Sequence, residues 1–274
     1  MKLECRDLGR RFGAKWALQG ANLSVETGRL AVLGPNGSGK TTLLSIMVGL
    51  RRPSRGLLRV NGFEPYRDRA RASRELSYVF EKPKLGLGVR VRDLISILEV
   101  AYGEGVGGLV DGLGVNGFRD LRLRELSSGQ GQILTLLVAL CKGGVLILDE
   151  PFTHLDAYTA GRLIELVYKR GEVVLATHIP EEAESVADYL VVVDSGRVRW
   201  CGSLDELYSA GVYEVYCDRF IQPEKVFGDS IIVSFGRIVL VKGWKPDELL
   251  RLPGVVGVRR SGVRRVYAEI RDRY

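Results

Sequence analysis

The stretch Gly34-Pro35-Asn36-Gly37-Ser38-Gly39-Lys40-Thr41-Thr42 decides how this chain is read. Its spacing is a glycine, four free positions, then Gly-Lys-Ser/Thr. In such a loop backbone N–H groups wrap phosphates, the lysine reaches the outermost ones, and a hydroxyl touches Mg²⁺. The flanks agree, because residues 30–33 (LAVL) are a short apolar run and residues 42–50 (TLLSIMVGL) continue in helix-compatible residues. Strand, loop and helix are in the required order. A helix beginning near Lys40 aims free N–H groups and its positive dipole end at an anion, so phosphate is the natural ligand.

Upstream, residues 2–5 and 21–25 read as strands, and residues 26–28 form the turn into strand 30–33, with a second turn at Gly13. Phe12 is an aromatic in a polar setting, either a platform for a purine or an edge aromatic of the sheet. Downstream, residues 57–61 and 77–80 read as strands around an arginine-rich helical piece at 66–74. Residues 81–125 are broken up by glycines, and 91–102 is the one helix their pattern supports; the rest of this insertion is expected to be mobile. Leu126-Ser127-Ser128-Gly129-Gln130 then precedes an apolar helical run at 133–141. Ser127 has N-cap chemistry, which leaves two readings: a plain capped helix start, or a start where an anion docks.

Two more strand ends carry chemistry. Residues 145–148 (VLIL) are all apolar, as in a fully buried parallel strand, and end in Asp149-Glu150-Pro151. Open α/β sheets place ligands at that end, so Asp149 suits Mg²⁺ and Glu150 suits an attacking water that it orients or deprotonates. Residues 172–176 form another such strand, ending at Thr177-His178, where the histidine is a γ-phosphate contact, a water-positioning group or a structural residue. A helix at 181–187 and a hairpin at 189–201 follow. Beyond residue 207 the texture changes to strands at 212–217, 230–235, 237–241 and 263–270 with a helix at 245–252. These form a small α+β appendage near the lower size limit for independent stability.

Composition bounds the rest. The 274 residues exceed a typical domain, and a cassette over 1–208 with a helical subdomain at about 82–142, followed by a unit at 209–274, is the expected division. No apolar run approaches the roughly 20 residues that cross a bilayer, and MKLECRDLGRR is no secretory signal, which points to a cytoplasmic chain. Four scattered cysteines and two histidines argue against a zinc site. A net charge of +7 with acidic residues interleaved among the basic ones gives no reason to expect nucleic acid as a partner.

Taken together, residues 2–208 resemble the ATP-binding subunit of ABC (ATP-binding cassette) transporters. GPNGSGKTT is similar to the Walker A loop, LSSGQ to the family signature, VLILDEP to the Walker B strand with its glutamate, residues 152–156 (FTHLD) to the D-loop, and His178 to the switch histidine. The resemblance implies an α/β fold: a P-loop NTPase cassette with a mixed sheet core, an antiparallel β subdomain and a small helical subdomain. It implies that Phe12 stacks on adenine, that residues 34–42 bind ATP, and that Lys40, Glu150 and His178 act in hydrolysis. Thr41, Asp149 and the residue at position 81 are implied for Mg²⁺. Two such subunits pair head to tail, with ATP between the Walker A loop of one and Ser127, Ser128, Gly129 and Gln130 of the other, a homodimer or a pair with a related chain. They drive separate transmembrane permease subunits from the inner face of the membrane.

Three positions depart from the family pattern: Glu81 stands for the usual glutamine, Ser128 for the first signature glycine, and Gly131-Gln132 lacks the usual arginine. Slow but real ATPase activity is expected. The short α+β tail resembles those of exporters, so export is expected rather than import. Two other classes compete: a soluble cassette protein such as a cluster-assembly ATPase, and a regulatory cassette with little turnover.

Overall fold

Three sheets organise the computed structural model, which describes residues 1–80, 88–153, 155–219 and 221–264. β1 (Lys2–Phe12) and β2 (Lys15–Glu26) form a hairpin across Gly13. Both run well beyond the expected strands, because residues 6–12 and 15–20 pair through bulges while Leu8 and Leu18, fully buried, anchor them to the core. β3 (Arg29–Leu33) feeds α1 (Lys40–Met47), and β4 (Arg55–Val60) adds to β1, giving the antiparallel order β2-β1-β4. α2 (Arg69–Glu75) is capped by the Asp68 side chain, which accepts from Arg71 N at 3.0 Å, and leads into β5 (Leu76–Val79).

In the glycine-rich insertion α3 (Val91–Tyr102) stands as expected, but it is not alone. α4 (Gly105–Gly112) forms although half of its residues, GVGGLVDG, are glycine. Its low propensity is overridden by packing: Val106 and Val110, one turn apart, are buried in the same apolar cluster as Leu134 and Leu137 of α5 (Ser128–Lys142).

β6 (Val145–Asp149), α6 (Ala157–Lys169), β7 (Val173–Thr177), α7 (Pro180–Val186), β8 (Tyr189–Asp194) and β9 (Arg197–Ser203) complete a six-stranded sheet of order β5-β6-β7-β3-β8-β9. All its pairs are parallel except β8 with β9, so the sheet is mixed. Register matters most here. Leu33 lies opposite Thr177 and Asp149 opposite Ala176, so β3, β6 and β7 end together and deliver the phosphate loop, Glu150 and His178 to one edge.

After α8 (Leu204–Ser209), the strands β10 (Val212–Cys217), β11 (Ile231–Phe235), β12 (Ile238–Lys242) and β13 (Val255–Arg260), with short helices α9 (Pro223–Phe227) and α10 (Pro246–Leu250), form a four-stranded antiparallel sheet. It has its own apolar core of Val215, Phe227, Val239, Val241 and Leu249. The expected strand at 263–270 is not found where described: residues 263–264 are helical and 265–270 lie outside the described residues. The sheet is instead closed on that side by β13, which pairs with β10 opposite β12. No helix among the described residues is long and apolar enough to cross a membrane.

Candidate nucleotide site

The phosphate loop is shaped by two close approaches. A Cβ on Gly34 would lie 2.0 Å from the Val193 carbonyl oxygen, and one on Gly39, at φ 112°, would lie 2.5 Å from that of Ala17. Only glycine satisfies both. Gly39 is also the N-cap of α1 and offers no side chain to its first-turn N–H groups. Ser38 is buried, Asn36 and Gly37 are exposed, Pro35 and Thr42 are half-buried, and Thr41 opens to solvent.

Lys40 is 5% exposed; its Nζ donates to the carbonyls of Gly34 at 2.7 Å and Pro35 at 3.2 Å. It also stands 3.1 Å from Glu150 Oε1, an ion pair rather than an aligned hydrogen bond, since that oxygen has no hydrogen-bond donor. Glu150 adopts φ 49°, an uncommon conformation for a residue with a side chain, and its N–H donates to Ala176 O at 2.9 Å. That turn brings Glu150 Oε2 to 2.8 Å from His178 Nδ1. The sequence placed Lys40, Glu150 and His178 at three strand ends; the structure joins them into one chain of contacts.

Asp149 is 2% exposed, and burial raises its pKa above the ordinary carboxylate value against the lowering effect of the neighbouring Thr41 and Tyr78 hydroxyls. The Tyr78 hydroxyl donates to Asp149 Oδ2 at 3.1 Å, while Oδ1 is buried with no hydrogen-bond partner. A buried carboxylate oxygen left unpaired beside a threonine hydroxyl suits a hard cation that completes its shell with phosphate and water oxygens, so the residues fit Mg²⁺. Glu81, expected to join them, lies outside the described residues. Tyr78 was missed in the sequence; its signal is that β5 runs parallel to β6 with Tyr78 opposite Ile147, two residues before Asp149.

The signature segment is engaged with itself. Ser127 Oγ accepts from Gln130 N at 3.2 Å and Gln130 Oε1 accepts from Ser127 N at 3.0 Å, a reciprocal cap at the start of α5. Ser127 and Ser128 are exposed, and Gly129 and Gln130 are half-buried. Phe12, at the end of β1, is 41% exposed with the Arg10 and Arg51 guanidinium carbons 4.8 and 5.0 Å from its ring centroid.

Comparison with known proteins identifies the family. The ABC transporter family model matches residues 18–153. A sulfate/thiosulfate import ATP-binding protein of Rhodopseudomonas palustris is 35% identical over 82% of this chain and 71% of its own length. An Fe(3+) ions import ATP-binding protein of Escherichia coli O157:H7 is 31% identical over 95% of this chain and 79% of its own. A solved structure described as the ATP binding subunit of an ABC transporter superposes with a TM-score of 0.67 at 27% identity, covering 76% of this chain and 92% of that one.

The chain therefore belongs to the ABC transporter family. Within it, the chain is an ATP-binding subunit, an ATPase cassette with a P-loop fold. These relatives, and a spermidine/putrescine import ATP-binding protein of Spiroplasma citri, carry the names of import proteins, which points away from the expected export. That expectation rested on tail length, a fold-level analogy that says nothing about direction.

Proposed function

We propose that this chain is the energy-supplying subunit of an importer, hydrolysing ATP between its own phosphate loop and the signature segment of a second cassette. The observation that carries the hydrolytic reading is Glu150, held 3.1 Å from Lys40 and 2.8 Å from His178 at the common edge of three strands.

In this reading the γ-phosphate of ATP takes over the Lys40 ammonium and releases Glu150 from its resting ion pair. Glu150 then orients the attacking water and accepts its proton, while His178 keeps the carboxylate in place. The loop N–H groups and the start of α1 hold the β- and γ-phosphates. Thr41 and Asp149 would hold Mg²⁺, which supplies neutralising charge on the phosphates. Phe12 carries the adenine, and Ser127 to Gln130 close on the phosphates bound by the opposite chain.

An apolar groove of about 360 Å³, lined by Val48, Leu50, Ala72, Leu76, Tyr78 and Phe80, supports docking of a separate permease subunit beside the site. Leu50 and Phe80 are 56% and 49% exposed there, and Tyr78 links the groove to Asp149. Such an arrangement fits peripheral attachment at the inner membrane face. The import names of the relatives support the direction, and the choice of solute belongs to the permease.

Phosphate release from the full chain tests the hydrolytic reading. Glu150→Gln is expected to lower turnover about 10³-fold with ATP binding retained. Equal rates in the two proteins would contradict it.

A further inference from the structure

We propose that the C-terminal unit positions the switch histidine: by gripping α7 it fixes the helix that begins two residues after His178. The inference rests on the reading of Glu150 and His178 as the hydrolytic pair.

α7 has seven residues, too short to be stable by itself, so its place is set by what it touches. One side is laced to the strand end that carries His178. The Thr177 hydroxyl donates to Glu182, and Ile179 N donates back to Thr177 Oγ1 at 3.0 Å. Ala183 and Val186 bury the same helix against the sheet.

The other side belongs to the C-terminal unit. Glu184 of α7 accepts from Val263 N at 2.9 Å and lies 3.4 Å from an Arg259 Nη2 that is equally close to Glu214. Glu214 is fully buried on β10 and also accepts from the Tyr216 hydroxyl at 3.1 Å. Arg264 pairs with Glu181. Val263, with no exposed surface, packs among Ala183, Ala187 and Leu204. The fit is close, since a Cβ on Gly262 would lie 1.9 Å from Glu184 Oε1. Glu184 thus joins Arg259, which is anchored on the buried Glu214, to the helix whose first turn holds Thr177 next to His178. A shift of α7 moves the His178 ring relative to Glu150, and catalytic groups displaced by a fraction of an ångström lose rate rather than substrate affinity.

Two variants of the full chain separate positioning from packing. Glu184→Leu removes both polar contacts, whereas Glu184→Gln keeps a carbonyl oxygen for Val263 N and gives up only the longer contact to Arg259. Expected for Glu184→Leu are a kcat about ten-fold lower, a KM for ATP within about two-fold of wild type, and faster hydrogen exchange over residues 177–186; Glu184→Gln retains most of kcat. Should the leucine variant fail to fold, Arg264→Glu serves, with a smaller fall in kcat and faster exchange over the same segment, both reversed by adding Glu181→Arg. An unchanged kcat in the folded variants, or a loss that neither Gln nor the charge swap spares, overturns the proposal. Glu150→Gln is the control. If it leaves turnover intact, the hydrolytic reading itself fails; if it abolishes turnover while the α7 variants keep theirs, only the positioning role falls.

Discussion

The starts of α1 and α5 are both helix N-termini read as phosphate sites, yet they are finished in opposite ways. α1 begins at a left-handed glycine with no side-chain cap, leaving its first N–H groups for a ligand. Behind it a buried lysine is paired with a buried glutamate. α5 begins at Ser127 with a reciprocal cap from Gln130, and no charged residue lies in residues 126–130. A start that is satisfied by its own side chains is ordered before any ligand arrives, and it adds little attraction by itself. In the proposed reading, one chain then carries a full hydrolytic set but only one strong phosphate grip, and the weaker grip works when a second chain brings it to a phosphate already held.

That difference can be broken from either side. Ser127→Phe, which crowds the α5 start without touching the phosphate loop, is expected to cut turnover about a hundred-fold. Its ATP affinity, measured by titration of dilute protein, stays near wild type. An equal loss of affinity would mean that both grips act on one nucleotide within one chain. Phe12→Ala acts on the other side: loss of base stacking, worth about 1–3 kcal/mol, weakens ATP binding about ten-fold, and the same titration should show little change in GTP-to-ATP preference. The smallest effect lies away from both grips. Gly108→Ala, on the exposed face of α4 where an added Cβ meets nothing within 4 Å, should stabilise the chain by about 0.5–1 kcal/mol in a denaturant titration and leave turnover alone. Destabilisation there would mean that the glycine-rich helix needs its glycines.

The sequence exposed most of the site because each chemical group sits at the end of a strand with an apolar signature. Residues 30–33, 145–148 and 172–176 announced a buried parallel sheet, and what followed each had to lie at its ligand edge. Contacts that depend on backbone torsion or on distant elements were hidden. Nothing in DEP signals that Glu150 takes a left-handed φ and so reaches Lys40 and His178 together. α4 was hidden by its glycines, since burial of Val106 and Val110 outweighs a propensity that local reading takes at face value. β13 was hidden in the VVGVRR segment, whose glycine weakens a strand pattern that pairing with β10 restores. The grip on α7 was hidden as well, because Arg259 and Glu184 lie 75 residues apart and look like ordinary surface charges.

The central claim, one strong grip per chain with the second supplied by another, is tested most directly by turnover per chain across a wide dilution series, with oligomeric state followed by light scattering. The account predicts that specific activity rises with protein concentration as dimers form on ATP, while ATP binding stays constant at the dilute end. A specific activity that stays flat while the chain is shown to be monomeric throughout would contradict it.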